Sequence, residues 1–443
     1  MSVQKPAVSA RSVAYFSLLR CEQNGRYANL ELDSALRTYP LEGAERALYT
    51  ILTYGVTERT LTLDALLSQV CDRALATMDP RVRCVLRLGA YQLWYLDRIP
   101  SHAAVDECVK LCKKHGFAKA APFVNAVLRA FLRKKDAFLM PNRDADPIGY
   151  LQFTYSFPAW ICALFCRQYG FSRAEEILRA QNEHPYLTLH VNTLKTSRVA
   201  LLARLAAEGI SAEACAEAPE AIRLCVPVAI PDLSPLAEGL CFVQDLSSQL
   251  AAQAVDAHAG DTVIDTCACP GGKSFAIALQ MQNQGTLYSM DLHANKLSLI
   301  RSGAERLGIT CIQTQTQDGC VSHPAFHKIA DRVLCDVPCS GLGVMAKKPD
   351  LRYKTEAEIA RLPKIQAAIL QNAAGYLKDG GKLVYSTCTL HQAENEDVVH
   401  AFLQQNPDFS LCEMQTIFPT MRGNDGFFFA VLTRAAHTTS VSS

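Results

Sequence analysis

Residues Thr262 to Met281 most constrain what this chain can fold into. Thr262-Val263-Ile264 is a short β-branched run that reads as a buried strand, and Phe275 to Met281 is apolar and proline-free, which reads as a helix. Between them lies Asp265-Thr266-Cys267-Ala268-Cys269-Pro270-Gly271-Gly272-Lys273-Ser274. A Pro-Gly-Gly turn there brings bare backbone close to a ligand, and the helix N-terminus favours negative charge. A tight turn with no ligand fits the same residues equally well. Two phosphate-binding loops are excluded. A P-loop requires glycine where Cys267 stands, and the dinucleotide fingerprint requires separated glycines, whereas Gly271 and Gly272 are adjacent. The loop suits a nucleoside ligand other than a nucleoside triphosphate or NAD.

From residue 260 onward, strand and helix patterns alternate, which predicts a parallel sheet with helices on both faces. Ligands of such sheets bind beyond the carboxyl ends of the strands. Polar residues fall at those ends: Asp265 to Lys273 after the first strand, Asp291 after Leu287-Tyr288-Ser289-Met290, and Asp318 after Cys311–Thr316. Asp336 follows Arg332-Val333-Leu334-Cys335, and Ser386-Thr387-Cys388-Thr389 follows Lys382–Tyr385. A single such Asp is usually a surface cap; their convergence on one rim predicts a site, with Asp291 placed to bind ribose hydroxyls. Cys339 and Cys388 share that rim. Buried structural thiols are the ordinary case, but a loop thiolate near a cation or helix N-terminus is a strong nucleophile.

The front of the chain reads differently. Residues 11 to 140 repeat apolar positions at three and four, as in Leu61, Leu63, Leu66, Leu67 and Val70. Asp79-Pro80 predicts a helix start, and Ser101 a cap for the helix holding Val105 and Val109. Residues 1–145 hold 21 Lys/Arg against 14 Asp/Glu, while the remainder holds 23 against 29. Lys110, Lys113, Lys114, Lys119, Arg129, Arg133, Lys134, Lys135 and Arg143 make the front the candidate surface for a polyanion. A solvated helix face is the bland reading of such a run. Pro141 to Pro147 is polar and bracketed by prolines, so a boundary is placed there. Residues 146–235 then read as a small α/β linking module, with Leu187–Asn192 as a strand and Leu201–Glu208 as a helix. Asp245 or Ser247 caps the helix that opens the last domain, 236–436, and 437–443 reads as a flexible tail.

Composition excludes several classes. No apolar run approaches the roughly 20 residues of a membrane span, and Met1–Arg11 lacks an apolar signal core, which argues for a cytoplasmic location. The 18 Cys are then expected to be reduced, and their spacing makes no zinc site, so no metal is expected.

Leu86-Arg87-Leu88-Gly89-Ala90-Tyr91-Gln92-Leu93 and Phe123-Val124-Asn125-Ala126-Val127-Leu128-Arg129 resemble the NusB-like helical domain at the front of one RNA methyltransferase family. The 265–273 loop, Asp336-Val337-Pro338-Cys339-Ser340-Gly341 and Ser386-Thr387-Cys388-Thr389 resemble the signature motifs of RNA cytosine-C5 methyltransferases. Glu394-Asn395-Glu396 and Asp425-Gly426-Phe427-Phe428 resemble that family's later motifs. From about residue 10 to 435 the chain is similar to the small-subunit ribosomal RNA cytosine-C5 methyltransferase B family, the Fmu/Sun type.

The resemblance implies an all-α NusB-like RNA-binding domain over 1–145, the α/β linking module, and a Rossmann-like class I methyltransferase domain over 236–436. It implies S-adenosylmethionine held by Cys267, Ala268, Cys269, Pro270, Gly271, Gly272, Lys273, Asp291, Asp318 and Asp336. It further implies Cys388 as nucleophile at cytosine C6, Cys339 assisting product release, and Asp336 contacting the cytosine edge to favour charge build-up on the ring. It also implies RNA, and small-subunit ribosomal RNA in particular, as the partner, with the target base unpaired or flipped, and the chain is expected to act as a monomer. Some positions depart from the family pattern. Cys269 stands where alanine is usual, Lys347-Lys348-Pro349-Asp350 replaces Arg-His-Pro-Asp, and His190 replaces an arginine before Val191-Asn192. Three alternatives stay open: Cys339 as the nucleophile, as in DNA cytosine methyltransferases; transfer RNA as the substrate; and an RNA-binding assembly factor with an inactive domain.

Overall fold

The computed structural model describes residues 9–24, 28–183, 186–228, 230–421 and 423–436. The tail at 437–443 and residues 1–8 lie outside them. The chain forms two compact units, Met1–Asn182 with Lys347–Tyr353, and Glu183–Ala346 with Lys354–Ser443. No described helix is long and apolar enough to cross a membrane.

The first unit is helical: α1 (Ala10–Asn24), α2 (Ala28–Thr38), α3 (Gly43–Ser68), α4 (Pro80–Tyr95), α5 (Ser101–Lys114), α6 (Ala121–Lys134), α7 (Pro147–Tyr155), α8 (Ala159–Tyr169) and α9 (Phe171–Ala180). The three-and-four spacing buries one stripe of each helix, so Leu52, Leu63 and Leu66 of α3 meet Val85, Leu88, Val124, Leu128 and Phe131 in one core. Helix α4 starts as expected, with the Asp79 carboxylate accepting from the Arg81 amide at 2.9 Å ahead of Pro80. Helix α5 does not. Its cap position is Pro100, which has no side-chain acceptor, and Ser101 is already its first helical residue.

The second unit holds two sheets. A small antiparallel sheet, in the order β2-β3-β1-β4, comprises β1 (Thr188–Val191), β2 (Ala212–Ala214), β3 (Ala221–Leu224) and β4 (Cys241–Val243), with α10 (Arg198–Ala207) and α11 (Ser234–Ala237) between strands. Helix α12 (Leu246–Gln253) follows, capped by Asp245, whose carboxylate accepts from the Ser247 amide at 2.9 Å.

The large sheet has the order β10-β11-β9-β8-β5-β6-β7. Its parallel strands are β5 (Thr262–Asp265), β6 (Thr286–Asp291), β7 (Ile312–Thr316), β8 (Ala330–Asp336) and β9 (Leu377–Thr387). Helices α13 (Gly272–Gln280), α14 (Leu297–Leu307), α15 (Glu356–Ile359), α16 (Leu362–Tyr376) and α17 (Glu396–Gln405) connect or flank them. Period-two alternation sends Val263, Leu287, Leu334 and Val384 into one core and Ile264, Val333, Leu383 and Tyr385 into the other. Each buried aliphatic side chain contributes about 1.5–3 kcal/mol relative to exposure.

The sheet departs from the expected all-parallel form at one edge. Strand β11 (Phe427–Arg434) pairs antiparallel with β9, and β10 (Phe409–Ile417) antiparallel with β11. No helix separates β10 from β11, and parallel strands need a crossover element, so the pair closes as a hairpin.

Candidate active site

The strand order reverses between β5 and β8, and the predicted polar residues converge there. Asp265, Asp291, Asp336 and Thr387 end parallel strands, and Asp318 lies just beyond β7. The register sets Asp336 beside Ser386 and Asp265 beside Leu334.

The loop leaving β5 is held from inside. The Ala268 amide donates to the Met290 carbonyl and the Gly271 amide to the Ala268 carbonyl, both at 2.7 Å. Asp291 takes the Cys269 amide at 3.3 Å and the His293 amide at 2.9 Å, so it pins the loop across the β5–β6 gap. Gly271 caps α13 at φ 114°, and a Cβ there would lie 2.7 Å from the Phe275 ring. Both constraints require glycine. A Cβ on Gly272, by contrast, would make only ordinary contact with Gln244, at 3.7 Å. A helix N-terminus at the end of β5, with the Asp291 and Asp318 carboxylates at the ends of the next two strands, fits a cofactor bearing a carboxylate, an amine and ribose hydroxyls.

Asp265 is buried and accepts from the Ser274 hydroxyl at 2.7 Å, which in turn accepts from Ser289 at 2.8 Å. Burial pushes its carboxyl up to about 7, helped by the nearby Asp336 charge. Sequence reading gave this residue no role of its own; an Asp ending a buried strand was the available signal.

The loop is tied to the end of β8 by Lys273, whose Nζ lies 2.7 Å from Asp336 Oδ2. Ser386 donates to Asp336 Oδ1 at 2.9 Å. Burial disfavours the Lys273 charge, but Asp336 outweighs it and Cys388 adds to the effect, so the ammonium is held above its ordinary range. Lys273 was expected among the cofactor contacts; here its ammonium sits on Asp336.

Cys339 and Cys388 meet, Sγ to Sγ, at 3.3 Å. The hydrogen bond with Cys388, together with burial, pushes the Cys339 thiol well up, so Cys339 keeps its proton. The loop thiols are also held protonated. Cys267 is raised by burial, and Cys269 is pushed up to about 12 by burial and the Asp291 charge.

The Cys339 loop hangs on Glu394, which is fully buried. One of its oxygens accepts from the Ser340 amide at 2.8 Å and from Gln366 Nε2 at 2.9 Å, while the other faces His391 Nδ1 at 3.3 Å. Burial opposes its charge, yet these donors hold its carboxyl below the ordinary range. Asn395 accepts from Thr387 at 2.6 Å and donates to the Thr389 carbonyl at 3.0 Å. The Cys388 carbonyl accepts from the Gly343 amide at 3.0 Å, and the Gly343 carbonyl from Gly426 at 2.8 Å. The motif at 394–396 was visible in the sequence; Gln366 carried no signal.

His190, the replaced arginine, lies buried in β1, stacked on Phe242 with its Nδ1 3.0 Å from Gln244 Oε1. Burial pushes it down to about 4. The basic segment is also narrower than its charges suggest. Lys110 is paired with Asp106 and Glu107, Arg143 with Glu175, and Lys134 and Lys135 donate to backbone carbonyls. Lys113, Lys114, Lys119 and Arg133 remain exposed. Among the described residues no His/Cys/Asp/Glu group is arranged to hold a metal ion.

A doubly wound sheet with this loop, these strand-end carboxylates and paired rim thiols defines a Rossmann-like methyltransferase domain. The "16S rRNA methyltransferase RsmB/F" family matches residues 252–433, the "NusB family" 8–133, and an "RsmF/B-like, ferredoxin-like domain" 157–231. The probable ribosomal RNA small subunit methyltransferase B of Bacillus subtilis is 41% identical over 90% of this chain and 89% of its own length. That of Synechocystis is 38% identical over 97% and 100%. Among solved structures, PH0851 matches with TM-score 0.81 at 23% identity over 97% of this chain and 100% of its own. A methyltransferase homologue protein from Pyrococcus horikoshii matches with TM-score 0.57 at 26% identity over 64% and 97%. The chain belongs to the ribosomal RNA small subunit methyltransferase B family, RNA methyltransferases dependent on S-adenosylmethionine.

Proposed function

We propose that this chain methylates C5 of a cytosine in 16S ribosomal RNA through a covalent adduct between Cys388 and C6. The observation that carries this reading is the meeting of Cys339 Sγ and Cys388 Sγ at 3.3 Å beyond the strand ends, with the Lys273 ammonium in electrostatic reach of Cys388. Cys388 is assigned as the attacking thiol because its Ser386-Thr387-Cys388-Thr389 motif matches the family's nucleophile motif.

The Cys388 thiolate adds to C6, forming an S–C6 bond and shifting the ring electrons toward C5. Asp336, held by Lys273 and Ser386, presents an acceptor to the cytosine amino group, and the Lys273 ammonium offsets the charge that builds on the ring. S-adenosylmethionine, held by the 267–273 loop, Asp291 and Asp318, supplies the methyl group that C5 takes. The C5 proton then passes to solvent, its bond electrons re-form the C5–C6 double bond and expel sulfur from C6, and Cys339 assists by offering its proton to the departing sulfur.

Segments 1–145, 146–235 and 236–436 divide the labour into RNA binding, linking and catalysis. One family match falls inside each. The chain acts as a cytoplasmic monomer. Trapping on 5-fluorocytosine RNA tests the nucleophile: wild type and Cys339→Ala should form the adduct and Cys388→Ala should not. The reverse pattern would establish the Cys339 mechanism instead. Bisulfite sequencing of ribosomal RNA with and without the protein tests the substrate, and a missing modification confined to transfer RNA would sink the ribosomal assignment.

A further inference from the structure

The peptide groups on either side of Cys339 are both gripped by buried side chains. Behind it, the Ser340 amide donates to Glu394 Oε2 at 2.8 Å; ahead of it, the Pro338 carbonyl accepts from Gln366 Nε2 at 3.0 Å. The same Nε2 donates to Glu394 Oε2 at 2.9 Å. One amide group on α16 therefore reaches both the carbonyl before Cys339 and the carboxylate that takes the amide after it. Both partners of Nε2 are acceptors only, which fixes the orientation of the Gln366 amide. Gln366 is fully buried, and its Oε1 has no partner among the described residues. An unmatched buried acceptor is a cost to the fold that an apolar side chain of similar shape would avoid. Packing alone does not account for a glutamine here; what Nε2 holds does.

We propose that Gln366 is a positioning residue for product release: it holds Cys339 where its thiol can protonate the departing Cys388 sulfur, and it takes no part in the attack on C6. The Cys388 segment has supports of its own. Thr387 donates to Asn395 Oδ1 at 2.6 Å, and the Thr389 carbonyl accepts from Asn395 Nδ2 at 3.0 Å. The two loops meet at Ser340 Oγ and Thr389 Oγ1, 2.7 Å apart, and at the sulfurs, 3.3 Å apart. In the release step the S–C6 bond electrons return to the Cys388 sulfur, the Cys339 proton passes to it, and Cys339 regains a proton from solvent. A misplacement of about 1 Å in such a transfer costs up to about 100-fold in rate. Loosening the peptide before Cys339 therefore falls on release, while the nucleophile keeps its own frame. The inference rests on the proposed roles of Cys388 and Cys339.

The test uses the full chain with unmodified 16S ribosomal RNA and S-adenosylmethionine. Gln366→Met keeps the length of the side chain and removes the donor. The rate of covalent enzyme–RNA complex formation in a single turnover is expected to stay within about twofold of wild type. Over many turnovers kcat should fall at least tenfold, with the covalent complex accumulating on denaturing gels. In Cys339→Ala, adding Gln366→Met should slow release no further, because a residue that acts through Cys339 then has nothing to position. Complex formation and release slowed in equal proportion, an unchanged kcat, or further slowing in the double variant would each overturn the inference. Gln366→Leu serves where the methionine variant does not fold; failure of both to fold would assign Gln366 to the stability of the domain and overturn it as well. A wild-type chain that forms no covalent complex with cytosine-containing RNA would overturn the proposed function instead.

Discussion

The Lys273 ammonium is paired with Asp336 and lies in electrostatic reach of Cys388. Under the mechanism proposed above, replacing it with methionine removes a cation that favours the Cys388 thiolate, so the thiol should ionise at higher pH. The acid limb of adduct formation with 5-fluorocytosine RNA is expected to move up by about one pH unit in Lys273→Met; an unmoved limb would mean that Lys273 does not act on the nucleophile. His190 makes a second single-residue prediction. The unfolded chain takes up a proton near the ordinary 6.5 that the folded chain refuses until about 4. Stability from this group is therefore complete above 6.5 and is lost as pH falls toward 4, by a total of about 3 kcal/mol. Urea unfolding of His190→Gln across this window should show a correspondingly flatter pH dependence than wild type.

At the scale of elements, the thiol loops depend on backbone approaches that no larger residue permits. A Cβ on Gly343 would lie 1.9 Å from the Gly426 carbonyl oxygen and 2.8 Å from that of Cys388. Gly343→Ala should destabilise the fold by about 1–3 kcal/mol and lower adduct formation, because the strain falls on the Cys388 backbone. Glu394→Gln keeps one oxygen for Ser340 and Gln366 but turns an NH2 toward His391 and removes the buried charge that these donors hold. A similar loss of about 1–3 kcal/mol in denaturant unfolding is expected, with adduct accumulating because the Cys339 loop is displaced. The loop, the strand-end carboxylates and the two thiols were legible because each sits at a local break in pattern. Glu394 was legible as a motif but not as a support, since its partners Ser340 and Gln366 come from distant parts of the chain. Strand β1 hid its environment in a similar way. Its residues are all buried, so alternation along it does not separate a wet face from a dry one.

For the whole molecule, the charge asymmetry resolves into a smaller exposed set once in-chain partners are taken away. Lys113→Glu with Lys114→Glu should weaken binding to ribosomal RNA and reduce the slope of log affinity against log salt by about 2; unchanged affinity and slope would exclude these lysines from phosphate contact. The sequence displayed every one of these cations but not their partners. Lys110 looks as available as Lys113 until Asp106 and Glu107 are seen to hold it.

Residues Lys347–Tyr353 belong to the helical unit although the chain reaches them long after leaving it. Arg352 is fully buried, lies over the Phe157 ring at 4.1 Å, and donates to the Glu58 carbonyl and the Asn182 side chain. On the ribosome, the first 182 residues therefore emerge lacking a piece of their own interior. Translation at about 5–20 residues per second delivers that piece roughly 10–30 s later. The helical unit gains its full interior only once the middle of the chain has been made, which ties completion of the first unit to synthesis of much of the second.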